Sequence, residues 1–180
     1  MGIAEILLIG IALSMDAFAV CLSSGMVYPG MKKMQKLSMP VAFGLFQGIM
    51  PVLGYYLGNI FSDIIDRYSG IISLVILGAI GINMIRDGFA PEEEKTEKTF
   101  TLTVLLLQAV ATSIDAFAVG VSFAAGGADI LLAAPVIALT TFLLSIAALI
   151  LGAKAGEHLG AKGEILGGII LIIIGIKALL

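Results

Sequence analysis

The sequence predicts an all-α integral membrane protein whose six transmembrane helices form two inverted three-helix repeats. Three observations carry that expectation. Of the 180 residues, 59% are hydrophobic and 13% charged, with a mean hydropathy of +1.12, whereas a soluble domain of this size needs far more polar surface. Most charges fall between long uncharged stretches, each near the roughly 20 residues that cross about 30 Å of hydrocarbon. An aspartate-centred motif occurs once in each half of the chain. The single cysteine excludes a disulfide scaffold or a cysteine-rich metal site. A net charge of -3 with no basic stripe does not fit a nucleic-acid partner.

Taken in order, the spans are expected near residues 3–25, 38–60, 68–86, 100–123, 130–153 and 164–180. The first is not read as a signal peptide: it lacks a basic leading region, carries Asp16 near its centre and precedes five similar stretches. The second contains Gly44, Gln47, Gly48 and Pro51, and the third ends at Asn83 and Arg86. Between the halves, residues 87–99 hold the run Pro91-Glu92-Glu93-Glu94-Lys95-Thr96-Glu97-Lys98. It reads as a solvated cytoplasmic linker, with a regulatory cation-binding patch as the alternative. The fourth span carries Asp115, the fifth Thr140, Thr141 and Ser145, and the sixth is short and runs to Leu180 without a soluble tail. The expected organisation is one membrane domain over residues 1–180, with repeat 1 near 1–86 and repeat 2 near 100–180.

Basic residues in short loops are retained on the cytoplasmic side. Lys32, Lys33 and Lys36 lie in the first connection, Arg86, Lys95 and Lys98 in the third, and Lys154 and Lys162 in the fifth, together eight of ten basic residues. Only Arg67 and Lys177 fall on the other side. Both termini are therefore expected outside and the acidic linker inside.

The stretch Ala12-Leu13-Ser14-Met15-Asp16-Ala17-Phe18-Ala19-Val20 returns as Ala111-Thr112-Ser113-Ile114-Asp115-Ala116-Phe117-Ala118-Val119, seven identities in nine at an offset of 99. At an offset of 98, Gly54, Gly58 and Gly70 meet Gly152, Gly156 and Gly168, and Asp66 meets Glu164. An odd number of spans per copy turns the second copy over, which is the arrangement of many transporters that bind near the midplane. So small a bundle also admits a homodimer.

A charge at the bilayer centre costs about 2.5–3.5 kcal/mol on insertion scales unless it meets water, a cation or a partner. Asp16 and Asp115 sit at equivalent depths in oppositely directed helices, and no lysine or arginine occupies the central part of any span. An internal salt bridge therefore finds no partner in the sequence. Two carboxylates suit a hard divalent cation; a proton relay, a substrate-ammonium site and a structural pair are the alternatives. Thr112 at i-3 and Ser122 at i+7 from Asp115, with Ser23 at i+7 from Asp16, share the aspartate faces. Ser14 and Ser113 at i-2 face away and are expected to bond their own helices or pack between helices. Pro51 leaves the Gln47 carbonyl without its helical donor, so Gln47 offers two oxygens to an ion path or an amide to a neighbouring helix. Asn83 is a further oxygen ligand or a packing bond, and Glu164 an entrance guard or an acidic first turn. Met15, Met50, Met84, Cys21 and His158 read as packing or isolated residues.

On Ser14 to Ala19 and Thr112 to Gly120, Phe43-Gly44 through Gly54, Asn83 through Phe89, and Lys162 through Gly168, the chain resembles the bacterial manganese efflux pump family, a branch of the lysine-exporter-like transporters. The resemblance covers essentially the whole chain. It implies export of manganese(II) through the plasma membrane of a bacterium or archaeon, with Asp16 and Asp115 needed for transport. The expected metal-site residues are Asp16, Asp115, Gln47, Thr112 and Asn83, with manganese(II) as substrate, membrane lipid as surroundings, no cofactor and no enzymatic reaction. No phosphate-binding glycine loop supports ATP use. An exporter of an amino acid or other small cationic metabolite, and a divalent-cation channel, remain the alternative functions.

Overall fold

The computed structural model describes residues 2–28, 31, 33–89, 100–159 and 161–178, without the side chains of 58–67, 69, 87, 157, 161 and 164. The expectations placed on Pro91 to Lys98, on Lys32 and Arg67, and on the Asp66 and Glu164 side chains lie outside the described residues. Among the described residues five helices follow one another: α1 (Ile3–Val27), α2 (Lys33–Phe89), α3 (Leu102–Gly126), α4 (Ile130–Leu159) and α5 (Ala161–Lys177).

Local chemistry sets several ends. The Glu5 carboxylate accepts the Gly2 N–H at 2.9 Å before α1, and Thr101 Oγ1 accepts the Val104 N–H at 3.3 Å at the start of α3. The α3 to α4 connection is tight because Gly127 adopts a left-handed φ of 64°, which glycine enters without a Cβ clash. The Ala128 N–H then closes on the Phe123 carbonyl. Asp129 Oδ1 accepts the Leu131 N–H at 3.0 Å and starts α4.

α2 has 57 residues, about 85 Å if straight, and its contacts forbid a single rod. Gly54 packs on Phe117 and Gly120 of α3, while Ser73 donates to the Ala111 carbonyl of the same helix at 2.9 Å. A straight helix would separate Gly54 and Ser73 by about 28 Å, far more than the distance between their contact points on α3. Directions agree. Lys33–Leu57 runs parallel to α3, since Gln35 reaches the Phe100 carbonyl at one end and Gly54 reaches Gly120 at the other. Gly70–Arg86 runs antiparallel to α5, with Gly81 on Gly168 and Leu74 on Gly175, and α5 runs antiparallel to α1. The chain therefore turns back between Leu57 and Gly70.

Among the described residues four helical stretches are long and apolar enough to cross a membrane: Ile3–Val27, Lys33–Leu57, Leu102–Gly126 and Ile130–Gly156. Gly70–Arg86 and Ile165–Lys177 are apolar but shorter. The second span begins at Lys33 rather than near 38, so Lys33 and Lys36 ride on its first turn rather than in a loop. The fifth continues past 153 to Leu159 and takes Lys154 and His158 onto the helix.

Packing interleaves the two halves of the sequence. α1 packs most extensively on α4, and α2 on α3 and α5. Along α1 and α4, a Cβ on Gly152 or Gly156 would run into the Leu22 or Met26 carbonyl. Along α2 and α3, a Cβ on Gly54 or Gly120 would run into the Phe117 or Pro51 carbonyl. Two buried clusters fill the bundle. One gathers Val20, Met39, Phe43, Leu77, Leu105 and Leu171; the other gathers Ile6, Leu13, Ala116, Phe123 and Ile137. Asp16 and Asp115 lie on α1 and α3 where residues of the two clusters adjoin.

Candidate functional site

Among the described residues α1 and α3 touch each other little, and Asp16 on α1 lies near enough to Asp115 on α3 for their charges to act on each other. Asp16 is partly open, its side chain 25% exposed, and Lys177 Nζ lies 3.0 Å from its Oδ1. Asp115 is exposed on α3, and its Oδ1 accepts the Ala116 N–H at 2.9 Å. The charges of Asp16 and Lys177 both act on Asp115. Two carboxylates and one ammonium thus share the site, for a formal charge of -1. Among the described residues no group of three His, Cys, Asp or Glu side chains forms, so any further ion ligands would be neutral oxygens.

The Lys177 ion pair corrects the expectation that Asp16 has no internal salt-bridge partner. The cause is the packing of α5. Gly167 lies against Ser23 and Val27 of α1, and the two helices run in opposite directions. Ten residues of α5 rise about 15 Å, while the seven from Ser23 back to Asp16 cover about 10 Å. Lys177 therefore starts slightly beyond Asp16 and reaches back along its four-carbon stem.

Other polar groups tie α1 in place within one turn of Asp16. The buried Gln47 donates Nε2 to the Leu13 carbonyl at 2.7 Å, which is the interhelical alternative anticipated for this residue. Ser14 bonds the Gly10 carbonyl and shares a 2.8 Å hydrogen bond with Thr141 of α4. Ser113 bonds the Ala109 carbonyl at 2.7 Å. Both serines behave as the i-2 spacing predicts.

Thr112 is buried one turn from Asp115 and spends its proton on the Gln108 carbonyl at 3.0 Å, so only its lone pairs are left for a ligand. Ser122 is exposed and bonds the Ala118 carbonyl. Asn83 is exposed on Gly70–Arg86. Its neighbour Met84 packs on Gly167, which puts Asn83 nearer the level of Ser23 than of Asp16. Gln47 therefore bonds α1 one turn before Asp16, Thr112 lies one turn before Asp115 on α3, and Asn83 lies apart from both.

Sequence reasoning passed over two residues. Lys177 looked like a terminal charge, yet a single cation ending an otherwise uncharged run from Ile165 was the available signal. Gln108 is 1% exposed, and among the described residues its Oε1 has no hydrogen-bond partner, like Ser23 Oγ and Ser24 Oγ. Its spacing of seven residues before Asp115, with Thr112 between, places all three on one face. The same arithmetic that selected Thr112 would have found it.

Comparison with known proteins adds a family. A family model described as "Putative manganese efflux pump" matches residues 30–179. A protein named "Putative manganese efflux pump MntP" from Methanobrevibacter smithii is 45% identical over 176 residues, covering 98% of this chain and 96% of the relative. The protein of the same name from Ruminiclostridium cellulolyticum is 44% identical over 179 residues, covering 98% and 95%. One from Wolinella succinogenes, named "Putative manganese efflux pump MntP 1", is 44% identical over 176 residues, covering 98% and 96%. No solved structure matches the chain.

Proposed function

The chain belongs to the manganese efflux pump family, and from that premise we propose that it exports manganese(II) by alternating access around Asp16 and Asp115. The observation that carries this reading is the Asp16–Lys177 ion pair lying near enough to Asp115 for all three charges to act on one another. Manganese(II) is a hard cation that prefers oxygen ligands. The two aspartates supply the charge, and Thr112, the Gln47 amide oxygen and water complete the shell.

In the empty carrier Lys177 stands where the ion's charge would be, paired to Asp16. A divalent ion displaces it because two positive charges satisfy both carboxylates and one ammonium satisfies only part of that demand. When the ion leaves, Lys177 returns, and the carrier does not cross between states with two uncompensated carboxylates.

With the two arms of α2 taken separately, the six spans act as two inverted repeats whose members exchange partners: α1 rides with α4, and Lys33–Leu57 with α3. Supporting this division, the tightest glycine approaches, at Gly54, Gly120 and Gly152, lie inside those pairs, while Gly44 and Gly48 form a looser seam across them on Ala138 of α4; α1 and α3 share little contact. Rocking one pair against the other changes the separation of Asp16 and Asp115 and exposes the site to one side at a time.

Titration of purified protein with manganese(II), followed by loss of the free-ion paramagnetic resonance signal, tests the site. Asp115→Asn is expected to weaken binding at least tenfold, and unchanged binding would remove Asp115 from it. The ammonium on Asp16 also suits a small cationic metabolite. Release of bound manganese by millimolar lysine would favour that second reading.

A further inference from the structure

At the end of the bundle where α1 finishes and α2 begins, a cavity of about 420 Å³ opens between α1, α2 and α4. Its lining has two characters. Lys33, Lys36 and Lys154 border it, and Leu37, Ile146 and Ile150 are among its apolar walls. The lining residues include no carboxylate, and among the described residues none pairs with these three lysines.

We propose that this cavity holds one anionic phospholipid, its phosphate against the three ammonium groups and an acyl chain along Leu37, Ile146 and Ile150. The early start of α2 is what builds it. Lys33 and Lys36 stand three residues apart on one face of a helix, and Lys154 faces them from α4. The site is unsuited to the transported ion, since three positive charges repel a divalent cation. A soluble anion would satisfy the lysines but leave the apolar wall wet. An anionic lipid satisfies both, and lysines gathered near helix ends lie at headgroup depth. Leu37 and Ile150 are half exposed, at 51% and 52%, so an acyl chain can enter from the bilayer without any helix moving. This inference does not depend on the aspartate site.

The test is native mass spectrometry of the full-length protein, with phosphatidylglycerol and phosphatidylcholine as probes. The wild type is expected to retain one phosphatidylglycerol at least tenfold more strongly than phosphatidylcholine. The triple variant Lys33→Gln, Lys36→Gln, Lys154→Gln should reduce that preference to within twofold, and the triple arginine variant should keep it. Lys162→Gln, which changes a lysine outside the cavity, should leave it untouched. Should the triple glutamine variant fail to fold, Lys36→Gln and Lys154→Gln singly are expected to lower the preference about threefold each. Retention of the preference by the glutamine variants would overturn the proposal. So would its loss in Lys162→Gln, or displacement of the lipid by millimolar glycerol phosphate, which would indicate a free-phosphate site. A second copy of the chain as occupant would show as dimer peaks that disappear with the glutamine substitutions, and would overturn it too.

Discussion

Asp16 stands between a residue of its own half, the Gln47 that holds the neighbouring Leu13 carbonyl, and a lysine 161 residues away in sequence. Lys177 is the residue whose role depends most on the account given of the site. If it is the empty carrier's countercharge, Lys177→Met removes the competitor for Asp16 and leaves two carboxylates facing the ion alone. Manganese binding should tighten about tenfold, equivalent to about 1.4 kcal/mol, while efflux turnover falls because release slows. Lys177→Arg should retain both properties. Paired binding and efflux assays on the three proteins check this, and a Lys177→Met protein that binds and transports like wild type removes the competitor role. The aspartates were legible in the sequence because charge is costly in hydrocarbon and the motif repeats. Lys177 was not, because its partner depends on how far α5 overlaps α1, which no local pattern encodes.

At the scale of elements, close seams decide which helices move together. A Cβ on Gly120 would meet the backbone of Pro51, and backbone cannot rotate aside as a side chain can. Gly120→Val is therefore expected to destabilise the protein by about 1–3 kcal/mol, the range for overpacking. Gly126, near the end of α3, has nothing within 4 Å of a built Cβ, so Gly126→Ala should be neutral or slightly stabilising through helix propensity. Thermal melts of both variants in the same detergent measure the contrast, and equal melting temperatures would contradict the packing account. Apolar runs made most helices readable, but their ends depended on finer chemistry. Lys33 and Lys36 read as loop residues because they are charged, although a charged side chain on a first helical turn still reaches the interface. The exchange of partners between halves was hidden because glycines mark close approach without naming what approaches.

For the whole molecule, the uneven distribution of basic residues is the ground for the proposed orientation, and the duplicated motif for the proposed centre. With both termini outside, cysteine placed at Lys36 or Lys154 should react with an impermeant maleimide only after the membrane is opened. Cysteine at Asp129, in the α3 to α4 connection, should react from outside in intact cells. The native Cys21 is buried and should stay silent, and the reverse pattern would contradict the proposed placement of both termini outside. Within that frame the central claim is that Asp16 and Asp115 together carry the ion. Efflux from manganese-loaded proteoliposomes tests it most directly. Wild-type protein should empty the vesicles, and Asp16→Asn and Asp115→Asn should each reduce the protein-dependent rate at least tenfold at equal reconstitution. Efflux that persists at the wild-type rate in either variant would contradict the account.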